Sequence, residues 1–370
     1  MDPAPTLPLA LSELPDALQR FCNPDGPTPA RMMAAKGLVP VRGNDQVLML
    51  AQLGSDADDA VADAAKATLL DLPDNVLGPA VGAELPSAVL HFLAAHLKGE
   101  ELLGALTSNP STADATLVDL ARSGSETLTE RIAINEVRLL GAPPIIEALY
   151  KNRNTRMSTA DRIIELAARN KVELPGIPAY KDHAEALQGQ LIPEPSDEPL
   201  PQDSVFNESL VDGDLEDVID RDKYTGEEEV KKKFKPLNMA IAEMSKAEKL
   251  RLAVVGGLPA RQILIRDNIK QVAMATIGSP QVTTAEAADT AKSKEVSEEI
   301  LRYIGSRKEW IKSAEVKHNL VFNAKTPVGI SIKYLSHLRT DELKKLAQSR
   351  NVSAQIKSLA SQWVQRREKK

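Results

Sequence analysis

The sequence predicts an all-α protein made of two α-helical-repeat, solenoid-like lobes joined by an acidic, disordered linker. Three observations carry this. A short turn-and-cap pattern recurs along the chain. Aromatic residues are only 3% of the chain, and an Ala- and Leu-rich composition poor in aromatics suits packed helices better than sheets. Apolar residues fall at helical spacing through most of the length.

The recurring pattern is clearest at Asn109-Pro110-Ser111-Thr112-Ala113-Asp114, which leads into Leu117, Val118, Leu120 and Ala121. It returns at Asn152, Thr155 and Ser158-Thr159-Ala160-Asp161, ahead of Ile163, Ile164 and Leu166. A third copy is Pro280 followed by Thr283-Thr284-Ala285-Glu286, and a fourth keeps Asn323-Ala324-Lys325-Thr326-Pro327. Proline has no N–H to donate and asparagine tolerates left-handed dihedrals, so the first residues end a helix and turn the chain. The hydroxyl then accepts from an orphan N–H of the next helix, and the acid three residues on reaches back to the cap. On this reading Ser158 caps a helix. Ser111 and Ser158 lie 47 residues apart, and Thr283 and Thr326 lie 43 apart. Such periods belong to solenoids of two or three helices per repeat.

The N-P-x-T turn followed by L-x-x-L-A resembles the α-helical repeats of the HEAT, armadillo and leucine-rich-repeat-variant class, over roughly half the chain in four imperfect copies. The resemblance implies an architecture. It implies no single function, because that class contains scaffolds, adaptors and some nucleic-acid binders.

Taken in order, a short helix is expected around 11–21, then helices over 45–53 and 56–72, the latter burying Val61, Ala65, Leu69 and Leu72. Pro73 and Pro86 restart helices at their first turns. The two best repeats occupy 100–135 and 145–170. Composition shifts after Leu191. Residues 193–229 hold 14 acids and two bases and few large apolar groups, too few to offset the entropy of ordering. Leu210, Val211, Leu215, Val218 and Ile219 are a short apolar set within that stretch. After it, Glu227, Glu228 and Glu229 each precede a lysine by four residues, the favourable order on a helix face. Ser245 with Glu248 forms a capping box, and Gly256-Gly257 ends that helix. Helices follow over 259–267, 269–277, 284–292, 297–304, 308–322, 341–349 and 353–366. Ile330-Ser331-Ile332-Lys333-Tyr334 alternates like a strand, but its place after the fourth turn predicts a helix. The expected division is an N-terminal helical-repeat domain over 1–190, an acidic Pro-rich linker over 191–225 and a basic C-terminal helical-repeat domain over 226–370.

The net charge of −6 hides a split, since residues 230–370 hold 28 Lys+Arg against 13 Asp+Glu. Cys22 is the single cysteine, which excludes an intramolecular disulfide and a cysteine zinc cluster. Residues 1–11 lack the basic and apolar regions of a signal peptide, and no run suits a membrane span, so the expected location is cytoplasmic. No phosphate loop, dinucleotide fingerprint, metalloprotease helix or nucleophile elbow is present. His91 and His96 lie five apart, off the spacing of paired helical ligands. The expectation is a protein with no catalytic, metal or cofactor site.

The candidate partner-binding residues are Arg251, Arg261, Arg266, Lys270, Arg302, Arg307, Lys308 and Lys312. A solenoid can align such residues into one stripe that attracts acidic protein or nucleic acid. A solvated charged face is the competing explanation. The function that follows is a non-catalytic scaffold or adaptor binding a protein partner, with a nucleic-acid or other polyanion binder as the alternative. Within either, Asp212, Asp214, Glu216 and Asp217 are expected to shield Arg261, Arg266 and Arg307.

Overall fold

The computed structural model describes residues 3–214, 218–222 and 227–368. The chain forms two compact units, Met1–Gly176 and Ile177–Lys370. Among the described residues of the first are α1 (Asp16–Cys22), α2 (Thr28–Ala35), α3 (Asn44–Leu53), α4 (Asp59–Leu70), α5 (Asp74–Gly82), α6 (Ser87–His96), α7 (Glu100–Ser108), α8 (Asp114–Ser123), α9 (Glu126–Ala133), α10 (Glu136–Gly141), α11 (Pro143–Lys151) and α12 (Met157–Arg169). The second holds α13 (Tyr180–Ala186), α14 (Pro201–Glu208), α15 (Lys235–Glu243), α16 (Lys246–Val255), α17 (Leu258–Leu264), α18 (Lys270–Gly278), α19 (Thr284–Lys292), α20 (Glu298–Ser306), α21 (Ala314–Phe322), α22 (Val328–Leu335), α23 (Thr340–Gln348) and α24 (Ala354–Glu368). A two-stranded hairpin, β1 (Ile219–Arg221) against β2 (Glu228–Val230), precedes α15. Its antiparallel register pairs Ile219 with Val230 and Arg221 with Glu228.

Each unit is held by leucine, isoleucine, valine and alanine from successive helices. In the first, Leu50, Val61, Leu69, Leu90, Leu93 and Leu106 are fully buried in one cluster. Leu117, Leu139, Ile146, Leu149 and Ile163 are buried further along. In the second, Ile300, Leu301, Ile304, Leu320, Leu343 and Leu346 form the corresponding cluster. Each such side chain contributes about 1.5–3 kcal/mol when fully buried, so packing outweighs the propensity of these short helices.

The repeated turn does more than reverse the chain. Asn109, Asn152, Ser279 and Asn323 end α7, α11, α18 and α21. The next helix begins five residues later in all four cases, at Asp114, Met157, Thr284 and Val328. Each of these C-cap residues reaches back to the last carbonyls of an earlier helix. Asn109 Nδ2 donates to Val81 O at 2.7 Å and Ala83 O at 2.8 Å, at the end of α5. Asn152 Nδ2 donates to Ala121 O at 2.9 Å and Gly124 O at 3.0 Å, at the end of α8. Asn323 Nδ2 donates to Ala291 O at 2.8 Å and Ser293 O at 2.7 Å, at the end of α19. Ser279 Oγ makes one such bond, to Val254 O of α16 at 3.2 Å. A helix leaves its last four carbonyls without intrahelical partners, and the amide supplies two donors for them. The braced helices therefore lie side by side with their C-terminal ends together.

The same geometry revises the caps. α12 starts after Arg156, so Ser158 lies inside the helix and is not its cap. α8 likewise starts after Ala113, leaving Ser111 in the turn. There Ser111 N donates to Asn109 Oδ1 at 2.8 Å. The Asn turn, which closes before the helix begins, fixes the start. Aligned on the braces, Asn109 and Asn152 are 43 residues apart and Ser279 and Asn323 are 44 apart, a more regular period than the hydroxyls suggest. In the third copy the hydroxyl does cap, with Thr283 Oγ1 accepting from Glu286 N at 3.2 Å. Thr283→Ala should lower stability by about 0.5–2 kcal/mol in urea denaturation. Unchanged stability would show that the bond contributes nothing.

Ser245 and Glu248 form the expected reciprocal box, with bonds of 3.3 and 2.7 Å. Residues 330–334 are helical, within α22. Two expectations change. The stretch 191–225 was expected to be disordered, yet Pro201–Glu208 is a helix whose Phe206 is buried within the second unit. One aromatic anchor, together with buried Val218, holds a segment that average composition reads as solvated. Residues 228–230 are a strand, because Glu228 pairs with Arg221 across the hairpin and not with Lys232 along a helix. Leu215, Glu216 and Asp217 lie outside the described residues.

Candidate interaction surface

The eight cations singled out in the sequence separate into two sets. Five already have partners. Arg251 is fully buried, with its guanidinium 5.0 Å from the centre of the Phe206 ring. Arg261 binds Glu286 through two bonds of 2.9 and 2.7 Å, with further bonds to Gly256 O and to Gln281 Oε1. Arg266 donates to Gln262 O and pairs with Glu228. Lys270 meets Glu299 at 2.8 Å, and Arg302 meets Glu298 one helical turn away at 2.6 Å. Among the described residues the carboxylates on Arg261 and Arg266 are Glu286 and Glu228, while Glu216 and Asp217 of the run expected to shield them lie outside the described residues. The fork of Arg261 staples α17 to α19, a structural task.

Glu228 is the carboxylate enclosed by two arginines in this unit. Its side chain is fully buried, between Arg221 at 24% and Arg266 at 14% side-chain exposure. Ser293 Oγ also donates to it at 3.0 Å. Burial alone would raise its pKa, but the two guanidinium groups outweigh that and hold the carboxyl below the usual range. One carboxylate between two arginines pins the hairpin to α17 and to the end of α19. Beside it, Lys249 and Asp267 make a second sheltered pair at 2.9 Å.

The remaining cations, Arg307, Lys308 and Lys312, are exposed and lie in the turn after α20. Arg307 sits over two rings, 4.8 Å from the centre of Tyr303 and 6.0 Å from that of Trp310, and donates to the Tyr303 hydroxyl. Those rings meet edge to face with centroids 6.0 Å apart. Tyr334 of α22 donates to Gly305 O at 2.6 Å. A Cβ at Gly305 would lie 2.8 Å from Ile330 Cγ2, so glycine is what lets α22 come this close. The approach brings Lys333, whose Nζ is 5.3 Å from the Tyr334 ring centre, to the same end of α20. Among the described residues no carboxylate lies within ion-pair distance of Arg307, Lys308, Lys312 or Lys333. Between residues 300 and 340 there are eight Lys+Arg and two Asp+Glu, Glu309 and Glu315. Lys333 was not among the sequence candidates. The Tyr303–Arg307 spacing of four was the available signal for the ring contact.

The first unit carries an open groove of about 970 Å³ between the 109–115 turn and the 135–144 segment. Pro110, Pro143, Pro144 and Val137 line it, and Arg138 crosses its edge to Asp114 at 2.9 Å. Val137 is 84% exposed. Other reactive side chains are quiet. Burial, with Asp56 nearby, pushes the Cys22 thiol up to about 12, far from the range of a nucleophile at neutral pH. His91 bonds Thr116 and His96 bonds Phe92 O, so both are engaged locally. No group of three His, Cys, Asp or Glu is placed to hold a metal among the described residues, and no described helix is long and apolar enough to cross a membrane. Comparison with protein-family models, curated proteins and solved structures finds no match to this chain.

Proposed function

We propose that the protein is a non-catalytic interaction scaffold of the helical-repeat class, binding a protein partner on the surface at the end of α20. One contrast supports this. Arg31, Arg156 and Arg261 are matched with Asp56, Glu126 and Glu286, whereas Arg307, Lys308, Lys312 and Lys333 have no carboxylate within ion-pair distance among the described residues, in a stretch (300–340) that holds eight Lys+Arg and only two Asp+Glu. Like charge concentrated in one stretch of chain is kept at a cost in self-repulsion, which a partner of opposite charge relieves. The recurrent Asn braces support the helical-repeat assignment. Nucleic acid is the second reading, favoured by the same cations.

A photo-cross-linking amino acid placed at position 308 of the full chain, in cells, distinguishes them. The expected product is an adduct sensitive to protease and resistant to nuclease, absent when the same group replaces Lys66 on α4. An adduct destroyed by nuclease would assign the surface to nucleic acid, and equal adducts from both positions would remove the assignment.

A further inference from the structure

We infer that Arg307, Lys308, Lys312 and Lys333 form a docking site for an acidic peptide segment of the partner protein. This rests on the scaffold proposal and specifies the chemistry of its ligand. The first argument is organisation. A free arginine loses rotamer entropy when it clamps a carboxylate. Arg307 is already held over Tyr303 and Trp310, so its planar fork is partly ordered before any ligand arrives. The second is convergence. The Tyr334–Gly305 bond ties α22 to the end of α20, so Lys333 joins the turn cations from a separate helix. Cations from two elements can contact successive acids of one segment.

The third argument decides the class of ligand. Single-stranded nucleic acid gains affinity by stacking bases on open aromatic faces. Here Trp310 is only 7% exposed and Arg307 lies over its ring and that of Tyr303, so the tryptophan offers no open stacking platform. Duplex binding is driven by neutralising many phosphates, and proteins that do so make about 6–10 contacts. Four cations fall short of that, and Glu309 in the same turn would face the backbone of a long polyanion. A peptide with a few carboxylates uses four cations fully and can route around one acid.

Fluorescence anisotropy with labelled octaglutamate and the full chain tests this. Octaglutamate should bind at low ionic strength and weaken as salt is raised to a Debye length of about 8 Å. Lys308→Glu/Lys312→Glu, at exposed positions without partners, should weaken it about tenfold, the sum of several exposed pairs of 0.2–1 kcal/mol. Arg307→Lys keeps the charge but not the fork, and should weaken it about threefold. The control Lys345→Glu/Arg350→Glu makes the same charge change at exposed residues on and after α23, and should leave binding within about twofold. Absent binding, or an equal loss in the control, overturns the acidic-peptide assignment, and the adduct at position 308 then decides the scaffold proposal separately. Tighter binding of an oligothymidylate through the same cations would also overturn it, in favour of nucleic acid.

Discussion

Replacing Asn109 by alanine is expected to lower stability by about 2–4 kcal/mol. The side chain is 4% exposed and makes three bonds: two donated to Val81 O and Ala83 O, and one accepted from Ser111 N. Alanine leaves the buried Val81 O at the end of α5 without a donor and leaves Ala83 O with only its bond from Leu85 N at 2.8 Å, and an unsatisfied buried group costs about 1–3 kcal/mol. Some of that is recovered where water reaches Ala83 O, a bond that is only partly buried. Aspartate is the sharper test. It keeps the acceptor for Ser111 N but turns a carboxylate toward two carbonyl oxygens, so Asn109→Asp should be at least as damaging although its shape is the same. Ser279→Ala loses two longer bonds, one donated to Val254 O at 3.2 Å and one accepted from Gln281 N at 3.4 Å, and should cost about 1 kcal/mol. Urea denaturation followed by circular dichroism measures all three. If Asn109→Ala stays within about 0.5 kcal/mol of the parent, the Asn turn is decoration and not a brace.

The same residues show where sequence reasoning stops. Asn109, Asn152 and Asn323 were visible as turn formers, because the backbone preference of asparagine is local. Their bracing role was invisible, because the acceptors are backbone carbonyls 26 to 32 residues earlier, which any residue type supplies. Helices were legible from apolar spacing and proline. Their starts were misplaced at Ser111 and Ser158, where the closed Asn turn fixed the start instead, although the hydroxyls of Ser245 and Thr283 do cap. The basic half was legible as composition but not as a surface. Whether a given arginine is spent or spare depends on acids far along the chain: Glu286 for Arg261, 25 residues on, and Glu228 for Arg266, 38 residues back. Arg307 stood out only after Tyr303 and Trp310 were seen to hold it. The stretch 191–225 misled for a related reason. Average composition weighs every residue equally, while one buried Phe206 under Arg251 anchors a helix.

Glu228→Gln should be the most damaging single change in the second unit, at about 3 kcal/mol. Glutamine keeps the size and one acceptor but leaves Arg266 without a counter-charge and Arg221 with only Asp289, 3.7 Å away, and removing one partner of a buried ion pair costs about 3–5 kcal/mol. The lower end applies because both guanidinium groups retain some exposure to water. The loss should also depend on pH in a defined direction. The folded-state pKa of Glu228 lies below its ordinary value of 4.5, so the folded protein binds fewer protons there than the unfolded chain. The contribution of this carboxylate is therefore complete above 4.5 and falls away as acid drives the pH down through the depressed folded-state value. The stability difference between parent and Glu228→Gln should be flat from neutral pH to the ordinary glutamate range and shrink below it. A gap that instead widened on acidification would mean that Glu228 is held protonated in the fold, the outcome if burial prevailed over the two arginines. A replacement that restores packing without charge, such as Glu228→Leu with Arg266→Leu, separates charge from shape. If it recovers most of the lost stability, the trio is a replaceable staple. If it does not, the hairpin depends on the charge-assisted bonds to Arg221 and Ser293 that leucine cannot make.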